Sequence, residues 1–217
     1  MEKAIIFDLD GTLIDSVHDI ADCLNDTLLR FNFKEVTTEK VKSIIGNGAK
    51  KLIIDAIDMP LPDEKVEEIL AYYNKIYTAS TSPKTIVFSG MKEELKKLKS
   101  LGYKLAVLTN KPQATTEKVC EIYLNDIGFD IVYGQLTGRP RKPDKTSTLE
   151  IIDKLGVLKK NVIFVGDGDA DFLTAKNAGI NSVSVLWGYR TKEQLSRLGA
   201  TNFVNTPSEL FQFLVNN

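Results

Sequence analysis

Apolar positions change their spacing along the chain, and the change divides it into parts. Ile5-Ile6-Phe7 is an unbroken apolar run that stops at Asp8, the pattern of a short buried strand. The pattern then turns helical. Ile20, Leu24 and Leu28 recur at i, i+4 and i+8, with Asp, Asn and Arg between them. Thr37-Thr38-Glu39 opens a further helix, which Gly46-Asn47-Gly48 closes. A helix is predicted over 49–57, stopped by Met59-Pro60-Leu61-Pro62, and another over 64–77. Residues 14–85 are therefore expected to form an all-helical block inserted after the first strand.

Beyond the block, strand and helix patterns alternate. Met91, Leu95 and Leu98 mark a helix that ends at Gly102, and Lys104 to Leu108 is a buried strand ending at Thr109-Asn110. A helix is expected over 112–125, a short strand at Ile131-Val132-Tyr133, and a helix carrying Leu149, Ile152 and Leu155 up to Gly156. Val162 to Val165 is a strand ending at Gly166-Asp167, Phe172 to Ala178 a helix, and Ser182 to Leu186 a strand. Thr206-Pro207-Ser208-Glu209 is a capping box that opens the last helix. Alternating strands and helices imply right-handed crossovers and a mainly parallel sheet. The expected architecture is α/β: a Rossmann-like parallel sheet core built from 1–13 and 86–217, with the helical cap at 14–85.

Composition narrows the function classes. Of 217 residues, 43% are hydrophobic and 26% charged, enough for a sizeable core. Lys+Arg total 28 and Asp+Glu 29, so the net charge of -1 offers nothing to nucleic acid or to an anionic membrane. No apolar run reaches membrane-spanning length, and the first one is short and carries Asp8, unlike a signal peptide. Cys23 and Cys120 lie far apart, without metal-ligand spacing, and read as reduced thiols of a cytoplasmic protein.

The polar residues that end the strands carry the candidate chemistry, because ligands of parallel sheets bind beyond the strands' carboxyl ends. Asp8 and Asp10 point to one side if the strand geometry persists, and such a pair suits Mg²⁺. Asp-Gly by itself is ordinary turn chemistry; Asp-Leu-Asp-Gly-Thr after an apolar strand points to catalysis. Asp167 adds a third carboxylate, and the crowded charge calls for a cation. Thr109 offers a hydroxyl and Asn110 a backbone N–H before a helix, which suits phosphate, while Lys142 adds positive charge. Carboxylates, Mg²⁺, a phosphate cradle and a lysine are the parts of phosphoryl transfer.

These motifs, in this order, resemble the haloacid dehalogenase superfamily of hydrolases, in the branch with a small helical cap after the first strand. Asp8 to Thr12 matches the first motif, Leu108-Thr109-Asn110 the second, Lys142-Pro143 the third, and Gly166-Asp167 with Asp171 the fourth. Trp187-Gly188-Tyr189 resembles phosphoglycolate phosphatase-like members. The resemblance implies Asp8 as nucleophile and Asp10 as proton donor and acceptor. It implies Mg²⁺ on the Asp8 carboxylate, the Asp10 carbonyl and Asp167, with Asp171 as a ligand or a partner of one. Thr109, Asn110 and Lys142 would hold the phosphoryl group. Lys145 is an alternative to Lys142, and Asp169, standing next to Gly168 where serine is common, has no assigned role.

Gly46, Asn47 and Lys50 in the cap read either as substrate contacts or as a helix–helix turn with a solvated face. His18, the one histidine, reads as a surface residue, and Trp187 as packing. The implied activity is Mg²⁺-dependent hydrolysis of a small phosphorylated metabolite such as 2-phosphoglycolate, through an aspartyl-phosphate. A phosphomutase of the β-phosphoglucomutase type, a pyrophosphatase and a non-catalytic receiver-like protein are the alternatives. Monomer and homodimer both stay open.

Overall fold

The computed structural model describes residues 2–216. Strand β1 (Ala4–Phe7) is buried throughout, and the chain then turns through Gly11 into β2 (Ile14–Asp15). Four helices follow: α1 (Val17–Arg30), α2 (Thr38–Ile44), α3 (Ala49–Ile57) and α4 (Asp63–Ala79). The chain returns through β3 (Ile86–Val87), which pairs antiparallel with β2. Next come α5 (Met91–Ser100), β4 (Lys104–Pro112), α6 (Gln113–Leu124), β5 (Ile131–Gln135) and α7 (Thr146–Leu155). The chain closes with β6 (Val162–Gly166), α8 (Asp169–Ala178), β7 (Asn181–Val185), α9 (Lys192–Leu198), β8 (Phe203–Val204) and α10 (Pro207–Asn216).

Six strands form one sheet in the order β5-β4-β1-β6-β7-β8, every neighbouring pair parallel. This is the expected Rossmann-like α/β core. The alternation of β1 sorts its side chains between two apolar layers, as a pleated strand requires. Ile5 and Phe7 pack with Leu95, Leu105 and Val107 on one face. Ala4 and Ile6 pack with Leu108, Ile151 and Phe164 on the other. Helices α1 to α4 enclose a separate apolar cluster in which Leu24, Leu28, Ile53, Ile69 and Tyr73 meet. That helical cluster reaches the sheet through the two-residue ribbon of β2 and β3, and no helix among the described residues is long and apolar enough to cross a membrane.

Local signals place most helix ends. The Thr37 hydroxyl accepts from the Lys40 N–H at 3.2 Å and starts α2. The Thr206 hydroxyl accepts from Glu209 N–H at 3.1 Å, while Glu209 accepts from Asn205 N–H at 2.7 Å. Several elements differ from expectation. Ile14 and Asp15, expected inside the all-helical block, form β2. Strand β4 continues past Leu108 to Pro112, and α8 starts at Asp169 because Asp171 accepts from the Gly168 N–H at 2.9 Å and caps it.

Candidate active site

The sheet register builds the site. Phe7 lies opposite Val107 of β4 and Val165 of β6. The residues that follow, Asp8, Thr109 and Asp167, therefore arrive together at the carboxyl edge of three adjacent strands. Asp8 is buried, and its N–H donates to the Val165 carbonyl at 2.9 Å. Asp171 reaches the same place from the first turn of α8, and carboxylate oxygens of Asp8, Asp167 and Asp171 all lie within 4.8 Å of one another. Lys142 enters from the loop before α7. Its Nζ stands 2.8 Å from Asp8 Oδ1 and 2.6 Å from Asp171 Oδ1. Lys145 is exposed, so the ammonium at this site belongs to Lys142.

Backbone without side chains lets Asp167 sit where it does. A Cβ on Gly11 would fall 2.4 Å from Asp167 Oδ2, and Gly11 has φ +82°. A Cβ on Gly188 would fall 2.2 Å from the Asp167 Cβ. Asp167 is then held by the Thr12 hydroxyl at 2.9 Å and the Tyr189 N–H at 2.8 Å.

The charges are in conflict. Burial pushes the Asp8 carboxyl up to about 8, with Asp171 adding to the shift, Lys142 opposing it and Asp167 adding more. Burial likewise pushes Asp167 up to about 7; Asp171 adds, and the bonds from Tyr189 and Thr12 resist. Burial works against the Lys142 ammonium, but Asp171 and Asp8 outweigh it and hold its pKa above the ordinary lysine value. Asp167 has no ion-pair partner among the described residues. A hard, oxygen-only donor set short of positive charge fits a divalent cation of the Mg²⁺ kind. Asp171 has both oxygens engaged, with Lys142 and with the Gly168 N–H, which suits holding Lys142 in place.

Asp10 faces a different set of partners. Its Oδ1 accepts from Lys111 Nζ at 2.8 Å and from the Ser16 hydroxyl at 2.5 Å, and its side chain stands outside the three-carboxylate cluster. Lys111, which the sequence reading did not single out, is buried and also donates to the Tyr77 hydroxyl of α4. A cleft of about 740 Å³, counting space open to solvent, lies over the sheet edge, lined by Asp8, Asp10, Thr109, Asn110, Lys111 and Asp167. From the helical side, Gly46, Asn47, Tyr77 and other residues line it. The Asn110 amide locks sheet to helices: it donates to the Gly46 carbonyl at 2.9 Å and the Lys142 carbonyl at 3.1 Å, and accepts from Lys142 N–H at 2.9 Å.

Lys50 does not join them. It pairs with Glu67 at 2.6 Å and is absent from the cleft lining, so the structure places only Gly46 and Asn47 of the expected cap contacts at the cleft. Asp169 is half-buried at the cleft and lies 3.7 Å from the Arg190 Nε. Arg190 in turn donates to the Lys42 carbonyl at 2.7 Å and the Ile45 carbonyl at 2.8 Å. His18 is exposed on α1 and absent from the cleft lining. Trp187 packs near Phe88 and donates to the Thr12 carbonyl at 3.0 Å, steadying the turn after Asp10.

Comparison with known proteins agrees with this geometry. A family model described as haloacid dehalogenase-like hydrolase matches residues 5–185. A phosphoglycolate phosphatase of Aquifex aeolicus is 37% identical over 86% of each chain. One from Haemophilus influenzae is 33% identical over 86% of this chain and 87% of its own. A crystal structure from Lactobacillus delbrueckii covers 99% of each chain at 29% identity, with a TM-score of 0.89. With the motifs assembled on one sheet edge and most of its length matched, this chain belongs to the haloacid dehalogenase-like hydrolases.

Proposed function

We propose that this chain hydrolyses a small phosphate monoester, 2-phosphoglycolate first among them, by way of an aspartyl-phosphate at Asp8. The observation that carries the reading is Asp8 itself: a buried carboxylate at the end of the central strand, 2.8 Å from Lys142, with Asp10 two residues on and facing the cleft. The relatives named above support the choice of substrate.

An Asp8 oxygen attacks phosphorus, and the bond from phosphorus to the ester oxygen breaks. Asp10 gives a proton to the departing oxygen, then takes one from the water that attacks phosphorus, which breaks the bond from phosphorus to Asp8 and releases orthophosphate and the free carboxylate. Lys142 offsets negative charge on Asp8 and on the phosphoryl oxygens. The Thr109 hydroxyl and the Asn110 backbone N–H orient that group at the sheet edge. Asp8, Asp167 and the Asp10 carbonyl would hold Mg²⁺, which would supply positive charge to offset that of the phosphoryl group. Residues 14–85 act as a cap over the core of 1–13 and 86–217, with Gly46 and Asn47 closing on the substrate and excluding water.

A panel of phosphate esters with Mg²⁺, read by orthophosphate release, tests the function. Turnover of 2-phosphoglycolate well above background is the expected result. Interconversion of glucose phosphates without release would make the protein a mutase, selective cleavage of pyrophosphate a pyrophosphatase, and no turnover of any phosphate compound would end the reading.

A further inference from the structure

Lys111 is a buried cation at the cleft to which the proposed chemistry gives no task. Its side chain is 1% exposed, and an ammonium so far from water needs a partner. It has Asp10 at 2.8 Å and the Tyr77 hydroxyl, and it lies 4.6 Å from the centre of the Tyr77 ring. Asp10 is 14% exposed and open to the cleft, so the anionic partner can be joined or exchanged from that side.

We infer that Lys111 is the receptor for a carboxylate on the leaving group, and that it selects phosphate esters of 2-hydroxy acids over neutral alcohols and sugars. The inference rests on the phosphatase reading, in which the ester oxygen departs next to Asp10. The other two cations at the site are directed elsewhere, whereas the anionic partner of Lys111 is open to the cleft. Lys142 stands between Asp8 and Asp171, on the side of the phosphoryl group. Arg190 is bound to the carbonyls of Lys42 and Ile45 and faces Asp169. A negative charge carried by the departing alcohol therefore meets Lys111.

The shared neighbour Asp10 sets the class. Lys111 and the ester oxygen share Asp10 as a neighbour, so a matching carboxylate sits one carbon from that oxygen. This is the arrangement in 2-phosphoglycolate and its 2-substituted analogues. Tyr77, with Tyr73 packed against it at 5.4 Å between ring centres, walls Lys111 from water on the helical side. In such a place an ammonium discriminates strongly, because a neutral analogue leaves its charge without the added partner.

The test crosses one protein change with one substrate change. Hydrolysis of 2-phosphoglycolate and of its neutral amide is measured for the wild type and for Lys111→Met. The wild type is expected to favour the carboxylate by about ten- to hundredfold in kcat/KM, the worth of one hydrogen bond to a charged group. In Lys111→Met the ratio should fall to within about threefold of unity, and Lys111→Arg should restore part of it. Any cost passed through Asp10 falls on both substrates alike and cancels in the ratio. Turnover of the amide by Lys111→Met shows that the variant is folded. A wild type that treats the two esters alike, or a ratio unchanged in Lys111→Met, overturns the inference and leaves the phosphatase reading standing. A wild type that hydrolyses neither ester, nor any other in the panel, overturns both.

Discussion

Lys142→Met removes the ammonium between Asp8 and Asp171 while keeping most of the side chain's volume. Both ion-pair distances are under 3 Å and the lysine is 6% exposed, so little solvent replaces the lost charge. Breaking a buried pair from one side costs about 3–5 kcal/mol. The pH dependence follows from the carboxyls. Asp8 and Asp167 have folded-state pKa values raised to about 8 and about 7 from an ordinary 3.8. A carboxyl raised in this way favours the folded state below its unfolded pKa. That contribution is lost as pH climbs through the window to the folded value, at up to about 1.4 kcal/mol per pH unit for each group. Lysine 142, with its pKa raised, stays charged throughout, so in the wild type the decline should flatten above about pH 8. Lys142 lowers the pKa of both carboxyls, so in the variant they rise further and the decline continues. Urea denaturation in excess chelator at pH 6 and pH 9 measures the gap. It should widen with pH, reaching about 3–5 kcal/mol at pH 9. A gap under about 1 kcal/mol at pH 9, or one of equal size at both pH values, would refute the electrostatic account of the site.

Two changes at other contacts extend the account. Arg190→Met frees the Lys42 and Ile45 carbonyls; we expect a loss of about 1–3 kcal/mol in local stability and faster amide exchange in α2, and unchanged exchange there would show that these two bonds do not hold α2 in place. Asn110→Ala removes the bond to the Gly46 carbonyl and both bonds to the Lys142 backbone, so KM for 2-phosphoglycolate should rise about tenfold; an unchanged KM would show that these contacts do not bear on binding.

What the sequence discloses and what it hides have physical causes. The central strands are legible because each is a short buried run with a polar stop, and the sheet register alone brings Asp8, Thr109 and Asp167 together. Helix ends at Thr37 and Thr206 are legible because a cap is a contact within four residues. Strands β2, β3 and β8 have two residues each, too few for any period to appear. Helix α9 has seven residues and one buried side chain, so only its ends carry a local sign, the capping box of Thr191 and Gln194 and the stop at Gly199. Lys111 escaped for another reason. Nothing local in Thr109-Asn110-Lys111-Pro112 marks it as buried, because its partners Tyr77 and Asp10 are 34 and 101 positions away. Lys50 shows the converse: its charge reads as available, but Glu67, 17 positions on, takes it.

The central claim is the covalent bond to Asp8, and the most direct measurement looks for it. The wild type is mixed with 2-phosphoglycolate and Mg²⁺, quenched in acid within the first turnover, and reduced with borohydride, which converts an acyl phosphate to the alcohol. Mass spectrometry of the peptide spanning Ala4 to Leu13 then reads residue 8. The account predicts homoserine at position 8, and none in Asp8→Asn, which should also release no orthophosphate. Orthophosphate release by Asp8→Asn at the wild-type rate, or the reduced residue at position 10 in place of position 8, would contradict it.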